Sequence, residues 1–362
     1  STSATQVGIE FRWSEHGEAE SSTLFSARYN KGPAGSAELA FLRLGKDGQG
    51  FSVQRRKAGI YRLSLATQAK HLGQSADFRP QRSFAFSVAT LNKLGIQAEL
   101  MKPIGPALLN ELTRIIYLGP LRRLAQRDYV WAGRMPAHIG DDGAKAVDAL
   151  IASGVARQAA VKRKKPLPPE AQLFDQTIQW LKEMNLADGL SIRALRGSAR
   201  YELMIENDGQ ASNLKDVGVG VSQVIPVIVA ALFAEPGHIV IVEEPESHLH
   251  PLAQRKLAEL FAQVSKQRKV QFIVETHSEH LFRRMQTLIA REEVAISDAA
   301  MYFVEREGKN ARLLPLKVDD FGRVMNWPKE FFGDALGETR EQTALAIKRA
   351  KELRAKDGNV SG

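Results

Sequence analysis

Cysteine is absent from the chain, which excludes disulfides and thiolate metal sites and fits a reducing, cytoplasmic setting. No apolar run reaches the roughly 18 residues that a membrane-spanning helix needs, so no membrane partner is expected. The start lacks the basic-then-apolar order of a secretory leader. It also lacks a methionine: residue 1 is Ser1, and the expectation is a chain that begins inside a longer reading frame. No internal repeat of fixed period is present. No basic stretch is interleaved with aromatics in the manner of a platform for single-stranded nucleic acid.

What is present is ordinary globular composition. The 362 residues are 44% hydrophobic and 25% charged, enough for a large core and two lobes. The formal net charge is +9. Such a surface attracts nucleic acid or an acidic partner, although mild basicity is common among globular proteins. The basic runs are Arg55-Arg56-Lys57, Arg122-Arg123, Lys162-Arg163-Lys164-Lys165 and Arg283-Arg284. Each alone reads as a solvated face; merged into one patch they would bind DNA or RNA.

Residues 1–90 read as β-rich. VGIEFRW (7–13), STLFSARYN (22–30), AELAFLRL (37–44), GIYRLSLA (59–66) and RSFAFSV (82–88) are β-prone runs, several of them separated by turn clusters such as NKGPAG and GKDGQG. The pattern predicts antiparallel hairpins. From 106 the period becomes helical in PALLNELTRIIYL, which stops at Gly119-Pro120. Helices are expected at about 142–160 and 170–185, with KRKKPLPPE (162–170) as the loop between them. YELMIEND (201–208) reads as a strand entering a turn. Three helix–strand pairs follow: helix 221–234 with strand 238–243, helix 251–266 with strand 270–275, and helix 279–291 with strand 299–305. Such alternation predicts a mostly parallel sheet wrapped by helices, and the apolar runs 239–242 and 270–274 predict strands buried on both faces.

Three stretches carry chemistry. In HIVIVEEPESHLHP (238–251), four β-branched residues run into Glu243 and Glu244, and Pro245 ends the strand. Ligands bind at the carboxyl ends of strands in open α/β sheets. There Glu243 would hold Mg2+, directly or through water, and Glu244 would orient a water toward a γ-phosphate. A solvated Glu-Glu turn is the plain alternative. In QFIVETHSEHL (271–281), a second strand ends at Glu275-Thr276-His277-Ser278. His277 would hydrogen-bond a γ-phosphate or its attacking water, while Thr276 or Ser278 caps the next helix. In LKDVGVGVSQVIPVIVAAL (214–232), Gly218 and Gly220 permit close backbone approach. Ser222 and Gln223 open a helix whose N-terminus can meet an anion.

Together these motifs resemble the C-terminal lobe of ABC-type ATPases, above all the OLD-like, SMC and DNA-repair group. The match is specific over about 200–291. The resemblance implies an α/β fold: an ABC-type ATPase head with a mostly parallel sheet flanked by helices, an N-terminal antiparallel β subdomain and a helical subdomain. It implies ATP and Mg2+ as ligands. Glu243 takes the Mg-linked acidic position, Glu244 that of the catalytic glutamate and His277 that of the switch histidine. Ser247 through His250 correspond to the D-loop, and Ser222 to the signature serine that reaches the γ-phosphate of the opposite subunit. Gly218, Gly220, Gln223, Ser247 and His250 accordingly join the nucleotide-binding set. YLGPLRRLAQRDYVWAG…PAHIGDDG (117–143) resembles the middle segment of OLD-like ATPases that lack a nuclease, and NWPKEFFGD (326–334) their tail. No acidic set for a nuclease follows 291, so none is expected.

The implied division is 1–100 for the β-rich part of the first lobe, 101–215 for a helical and mixed subdomain, 216–316 for the catalytic lobe, and 317–362 for a tail and helix. The implied partners are a second or further copy of the chain, an effector protein in bacterial phage defence, and nucleic acid through the basic runs. One departure stands out: no GxxxxGK[ST] occurs anywhere. The expectation is that this phosphate loop lies upstream of Ser1, so ATPase activity is conditional on it. A degenerate ABC-fold scaffold is the alternative. Gln126 is the candidate Q-loop residue. A third reading, a metal hydrolase, would use His248, His250, His277, His280 and Glu275 as ligands.

Overall fold

The computed structural model describes residues 6–13, 22–32, 36–56, 59–66, 70–308 and 310–328, together with 343, 345–347 and 349. Most of the expected 317–362 tail, including positions 329–334 of NWPKEFFGD, lies outside the described residues. The chain divides into two units, Ser1–Ile115 and Ile116–Gly362. Among the described residues no helix is long and apolar enough to cross a membrane. The fold is mixed α/β, with both parallel and antiparallel pairings.

The first unit is a meander. β1 (Gln6–Trp13), β2 (Thr23–Lys31), β3 (Ala37–Lys46), β4 (Gln49–Arg55), β5 (Tyr61–Leu65) and β6 (His71–Ser75) lie in sequence order, each strand antiparallel to the next. Asp47 and Gly48, both at positive φ (51 and 77), form the two-residue turn between β3 and β4, the Asp-Gly geometry whose twist suits a tight hairpin. One face is apolar: Phe25, Ala27, Leu42, Leu44, Phe51, Val53, Tyr61 and Leu63 are buried with Leu94, Met101, Ile104 and Leu108. The last four come from α1 (Val88–Leu94), α2 (Ala98–Met101) and α3 (Ile104–Thr113). The helices thus cover the face that alternation creates.

Two expectations fail here. The run 82–88 forms no strand: Arg82 and Ser83 take positive φ (47 and 66), and Ser87 caps α1 by accepting the Thr90 N–H over 3.2 Å. A local side-chain acceptor outcompetes strand pairing where turn residues break the run. The helical period of PALLNELTRIIYL ends at Thr113, and Ile115–Leu118 is instead β7. Its β-branched Ile115 and Ile116 favour a pleated surface once a sheet offers an edge.

The second unit is built round α6 (Val219–Phe233), whose residues Val224, Ile225 and Val227 through Ala231 are fully buried. A helix apolar all round must be enclosed. It is packed by α4 (Ala146–Lys162), α5 (Gln172–Glu183), α7 (Pro251–Arg268) and β12 (Ile239–Glu243). An antiparallel sheet places β10 (Arg200–Asn207) beside β8 (Tyr129–Val130), β9 (Gly189–Ala194) and β11 (Gln210–Asn213). In a second sheet, β12 lies between β7 and β13 (Gln271–Glu275). β12 and β13 run parallel, with Ile239 opposite Gln271 and Glu243 opposite Glu275. α8 (Glu279–Ala290) follows β13.

The parallel part is narrower than expected. The run 299–305 does not join it: β14 (Tyr302–Glu307) pairs antiparallel with β15 (Asn310–Pro315) as a separate hairpin. Nor is β13 buried on both faces. It is the edge of its described sheet, and Ile273 is 50% exposed. Apolarity alone does not distinguish a central strand from an edge strand.

Candidate functional site

The site begins where β12 stops. Val240 and Val242 are fully buried while Glu243 and Glu244 are half-buried, so the strand carries its carboxylates to the sheet's rim. Glu244 takes φ 43, in the left-handed region. For a residue with a Cβ this costs about 1–3 kcal/mol and persists where surroundings over-determine it. The surroundings are visible. The Glu244 N–H donates to the Glu275 carbonyl oxygen over 2.9 Å and lies 3.3 Å from its Oε2. Ser247 Oγ donates to Glu244 Oε2 over 3.0 Å. Arg122 Nη2 donates to both the Glu243 and the Glu244 carbonyl oxygens, at 2.7 and 2.9 Å.

Glu243 faces another partner. Tyr117 Oη, on β7, donates to Glu243 Oε1 over 3.1 Å. That bond raises the Tyr117 pKa above the ordinary tyrosine value, with further upward contributions from desolvation and from the charges of Glu243 and Asp141.

The loop after β13 closes on the same turn. The His277 N–H donates to Glu246 Oε1 over 2.7 Å, and His277 Nε2 lies 3.3 Å from Glu275 Oε1. Ser278, not Thr276, caps α8, accepting the Leu281 N–H over 3.0 Å. Its own hydroxyl donates to Gln254 Oε1 on α7 over 2.6 Å. Thr276 Oγ1 accepts the Ser278 N–H. The His277 side chain stays 80% exposed. One carboxylate oxygen each from Glu244 and Glu275 and an imidazole nitrogen of His277 lie within 4.8 Å of one another. Two carboxylates and an imidazole at adjacent strand ends can receive protons or hold a divalent cation, and the carboxylate oxygens suit a hard ion such as Mg2+. Glu243 is outside this cluster, and so are His248, His250 and His280.

The other expected residues are placed as follows. Gly218 caps α6, and among the described residues beyond its chain neighbours no atom lies within 4 Å of a Cβ built on it. A Cβ on Gly220 would sit 2.7 Å from the His248 carbonyl oxygen, so the close approach that Gly220 permits is to the turn after β12. Ser222 lies in the first turn of α6, and its hydroxyl donates to the Val219 carbonyl oxygen over 2.9 Å. Gln223 is buried at 6% exposure. His250 caps α7 through Nδ1, with Pro251 at the first helical position. The His248–His250 pair of the hydrolase reading thus serves the loop and the cap. Gln126 is exposed in the loop after β7.

Sequence reasoning missed Tyr117, Arg122, Glu246, Gln254 and Glu275's backbone role. Arg122 looked like half of a basic run, yet it is 5% exposed. Burial pushes it below the ordinary guanidinium value, and the carboxylates of Glu246 and Glu244 oppose that shift. The other basic runs are also partly neutralised. Arg123 pairs with Asp142, Arg283 with Glu279, and Arg284 with Glu259. Lys162 through Lys165 are exposed.

No curated protein matches the chain in sequence. Residues 294–342 match a family described as a protein of unknown function, DUF3696. Among solved structures, an SMC ATPase described for ATP-driven dimerization and DNA-stimulated activation aligns at 16% identity, covering 40% of this chain and 83% of that one, with a TM-score of 0.30. The SMC head domain from Thermotoga maritima aligns at 11% identity, covering 82% and 75%, with a TM-score of 0.31. The Smc head domain from Pyrococcus furiosus, bound to the C-terminal domain of ScpA, aligns at 12% identity, covering 93% and 81%, with a TM-score of 0.35. These scores are too low for the likeness to carry weight. Residues 119–283, a little under half of the chain, match the family described as AAA domain, putative AbiEii toxin, Type IV TA system, so the segment that brings Arg122, Glu243, Glu244, Glu246 and His277 together is the one similar to an AAA-type ATPase domain.

Proposed function

We propose that this chain is the catalytic part of an ABC-type switch ATPase that binds and hydrolyses ATP as a nucleotide-sandwich dimer. The observation that carries the reading is the Glu244 carboxylate, held by Ser247 Oγ at the end of a buried strand and within 4.8 Å of the His277 imidazole. In this reading Glu244 accepts a hydrogen bond from the attacking water and draws its proton away as the γ-phosphate is approached. His277 donates to the phosphate or to that water from the neighbouring strand end. Glu243, at the rim of β12, would hold the Mg2+ shell, and the ion would neutralise charge on the phosphates. Ser222, beside Gly218 at the start of α6, would meet the γ-phosphate of the partner copy, with Gly220 packed on the turn after β12 and Gln223 buried behind it, while Ser247 and His250 frame the D-loop. ATP turnover in this reading requires a phosphate loop, and no GxxxxGK[ST] occurs in this sequence.

The matched family's description names a toxin of a type IV toxin–antitoxin system, and a cytoplasmic role in bacterial phage defence beside an effector protein fits that description. Nucleic-acid contact would run through residues 162–165, all four exposed, since Arg55, Arg123, Arg283 and Arg284 of the other basic runs pair with carboxylates. The decisive experiment measures ATP turnover and ATP-dependent dimerisation of the full-length protein. Turnover lost and a closed dimer trapped by Glu244→Gln support the reading. Wild-type turnover in that variant, or full activity in a species that light scattering shows to be monomeric, would sink it.

The Glu244, Glu275 and His277 cluster favours one second reading, a hydrolase with a resident metal. Metal content after purification distinguishes it: a stoichiometric transition metal retained without nucleotide supports the hydrolase.

A further inference from the structure

An arginine pair in a loop between two leucines would ordinarily be solvated. Here Leu121 and Leu124 are 88% and 73% exposed, while Arg122 is 5% exposed. The backbone forces this inversion. The Gly119 N–H donates to the Asp141 carbonyl oxygen, and the Arg123 N–H to that of Asp142, so the loop is stapled on both sides of Arg122. Its neighbour Arg123 turns out to Asp142, leaving Arg122 as the side chain that enters the fold.

Inside, a single nitrogen serves two acceptors. Arg122 Nη2 bonds the carbonyl oxygens of Glu243 and Glu244 together. In a continuing strand, successive residues alternate in direction; one donor reaches both carbonyls only where the chain has turned. That turn is the positive φ of Glu244. The Arg122 Nε and Nη1 atoms and Glu246 Oε2 are buried without a hydrogen-bond partner among the described residues. The other oxygen of Glu246 holds the His277 N–H. A buried permanent cation therefore sits under the turn that presents Glu244, beside the carboxylate that anchors the loop presenting His277.

We infer that Arg122 is a positioning residue for hydrolysis: by binding the Glu243 and Glu244 carbonyls it holds the left-handed turn that aims the Glu244 carboxylate at Ser247 and His277. The inference rests on the ATPase reading. Arg122 does not touch substrate in this scheme; it acts through Glu244.

The test compares Arg122→Met, Arg122→Lys, Arg123→Met and Glu244→Gln in the full-length protein, by steady-state ATP turnover and thermal unfolding. Arg122→Met is expected to lower kcat by about 10- to 100-fold with KM for ATP changed less than about threefold, because misplacing a catalytic group costs rate rather than uniform binding. Arg122→Lys, which keeps a charged donor, should recover part of kcat. Arg123→Met, on the solvent side of the same loop, should behave as wild type. If Arg122→Met does not fold, Arg122→Gln, which is shorter and uncharged, is measured in its place, and a kcat within about twofold of wild type overturns the inference. Arg122→Met with wild-type kcat beside a dead Glu244→Gln overturns the inference and leaves the ATPase reading standing. Wild-type turnover in Glu244→Gln removes the ATPase reading and the inference with it.

Discussion

The backbone N–H of His277 donates to the Glu246 carboxylate over 2.7 Å. The loop after one strand is thereby fixed on the turn after its parallel neighbour. Glu246 is 9% exposed, so little water competes for that bond. Glu246→Ala should leave the partly buried His277 N–H without its carboxylate partner and cost about 1–2 kcal/mol of stability. Urea denaturation of the variant measures it, and a change below about 0.5 kcal/mol would mean that water replaces the carboxylate at no cost.

Glu244 and Glu243 should fail differently. Removing the water-orienting carboxylate in Glu244→Gln should cut kcat by about 10²–10⁴ while ATP stays bound. Glu243→Gln should instead weaken MgATP retention. Turnover and nucleotide binding measured on both single variants check the assignment. A Glu243→Gln protein that binds ATP tightly but is dead, beside an active Glu244→Gln, would reverse the roles.

Gly220 is a packing requirement before it is anything else. A Cβ there meets the His248 carbonyl oxygen at 2.7 Å, and backbone yields less readily than a side chain. Gly220→Ala should push α6 off the turn after β12 and destabilise the protein by about 1–3 kcal/mol. Gly218→Ala, which meets nothing within 4 Å, should leave stability near wild type. Thermal unfolding of the two variants side by side tests the contrast.

Tyr117 should report on Glu243. Its hydrogen bond to that carboxylate holds its pKa above the ordinary tyrosine value, so Glu243→Gln should bring it down toward that value. Because the folded-state pKa is the raised one, the stabilisation is complete at neutral pH and is lost as pH rises through the folded Tyr117 pKa. Ultraviolet difference titration of wild type, Glu243→Gln and Tyr117→Phe isolates this one phenol. No change in the titration between wild type and Glu243→Gln would show the bond is not formed in solution.

Much of the site was legible because its chemistry is local. Four β-branched residues before Glu243, and Pro245 after Glu244, specify a strand that ends in two carboxylates. The strands expected over 238–243 and 270–275 in a mostly parallel sheet do pair in parallel. His250, expected within the D-loop, caps α7 in the structure. The β4, β6, β9 and β15 strands were not read because short runs containing glycine, arginine or serine lack a clear alternation, and pairing supplies what propensity does not.

The sequence by itself determined the punctuation of this protein. Asp47-Gly48 and Asp208-Gly209 turn hairpins, Pro251 starts a helix, and the apolar stretch of α6 has to be buried, because these outcomes follow from backbone sterics and from the hydrophobicity of neighbouring residues. Tertiary structure alone decided which charges are interior and which strands are edges. Arg122 and Arg123 are adjacent and chemically identical, yet one is buried against two carbonyls and the other pairs with Asp142 at the surface. That difference comes from partners 19 to 122 residues away in the chain, where no local pattern carries the information.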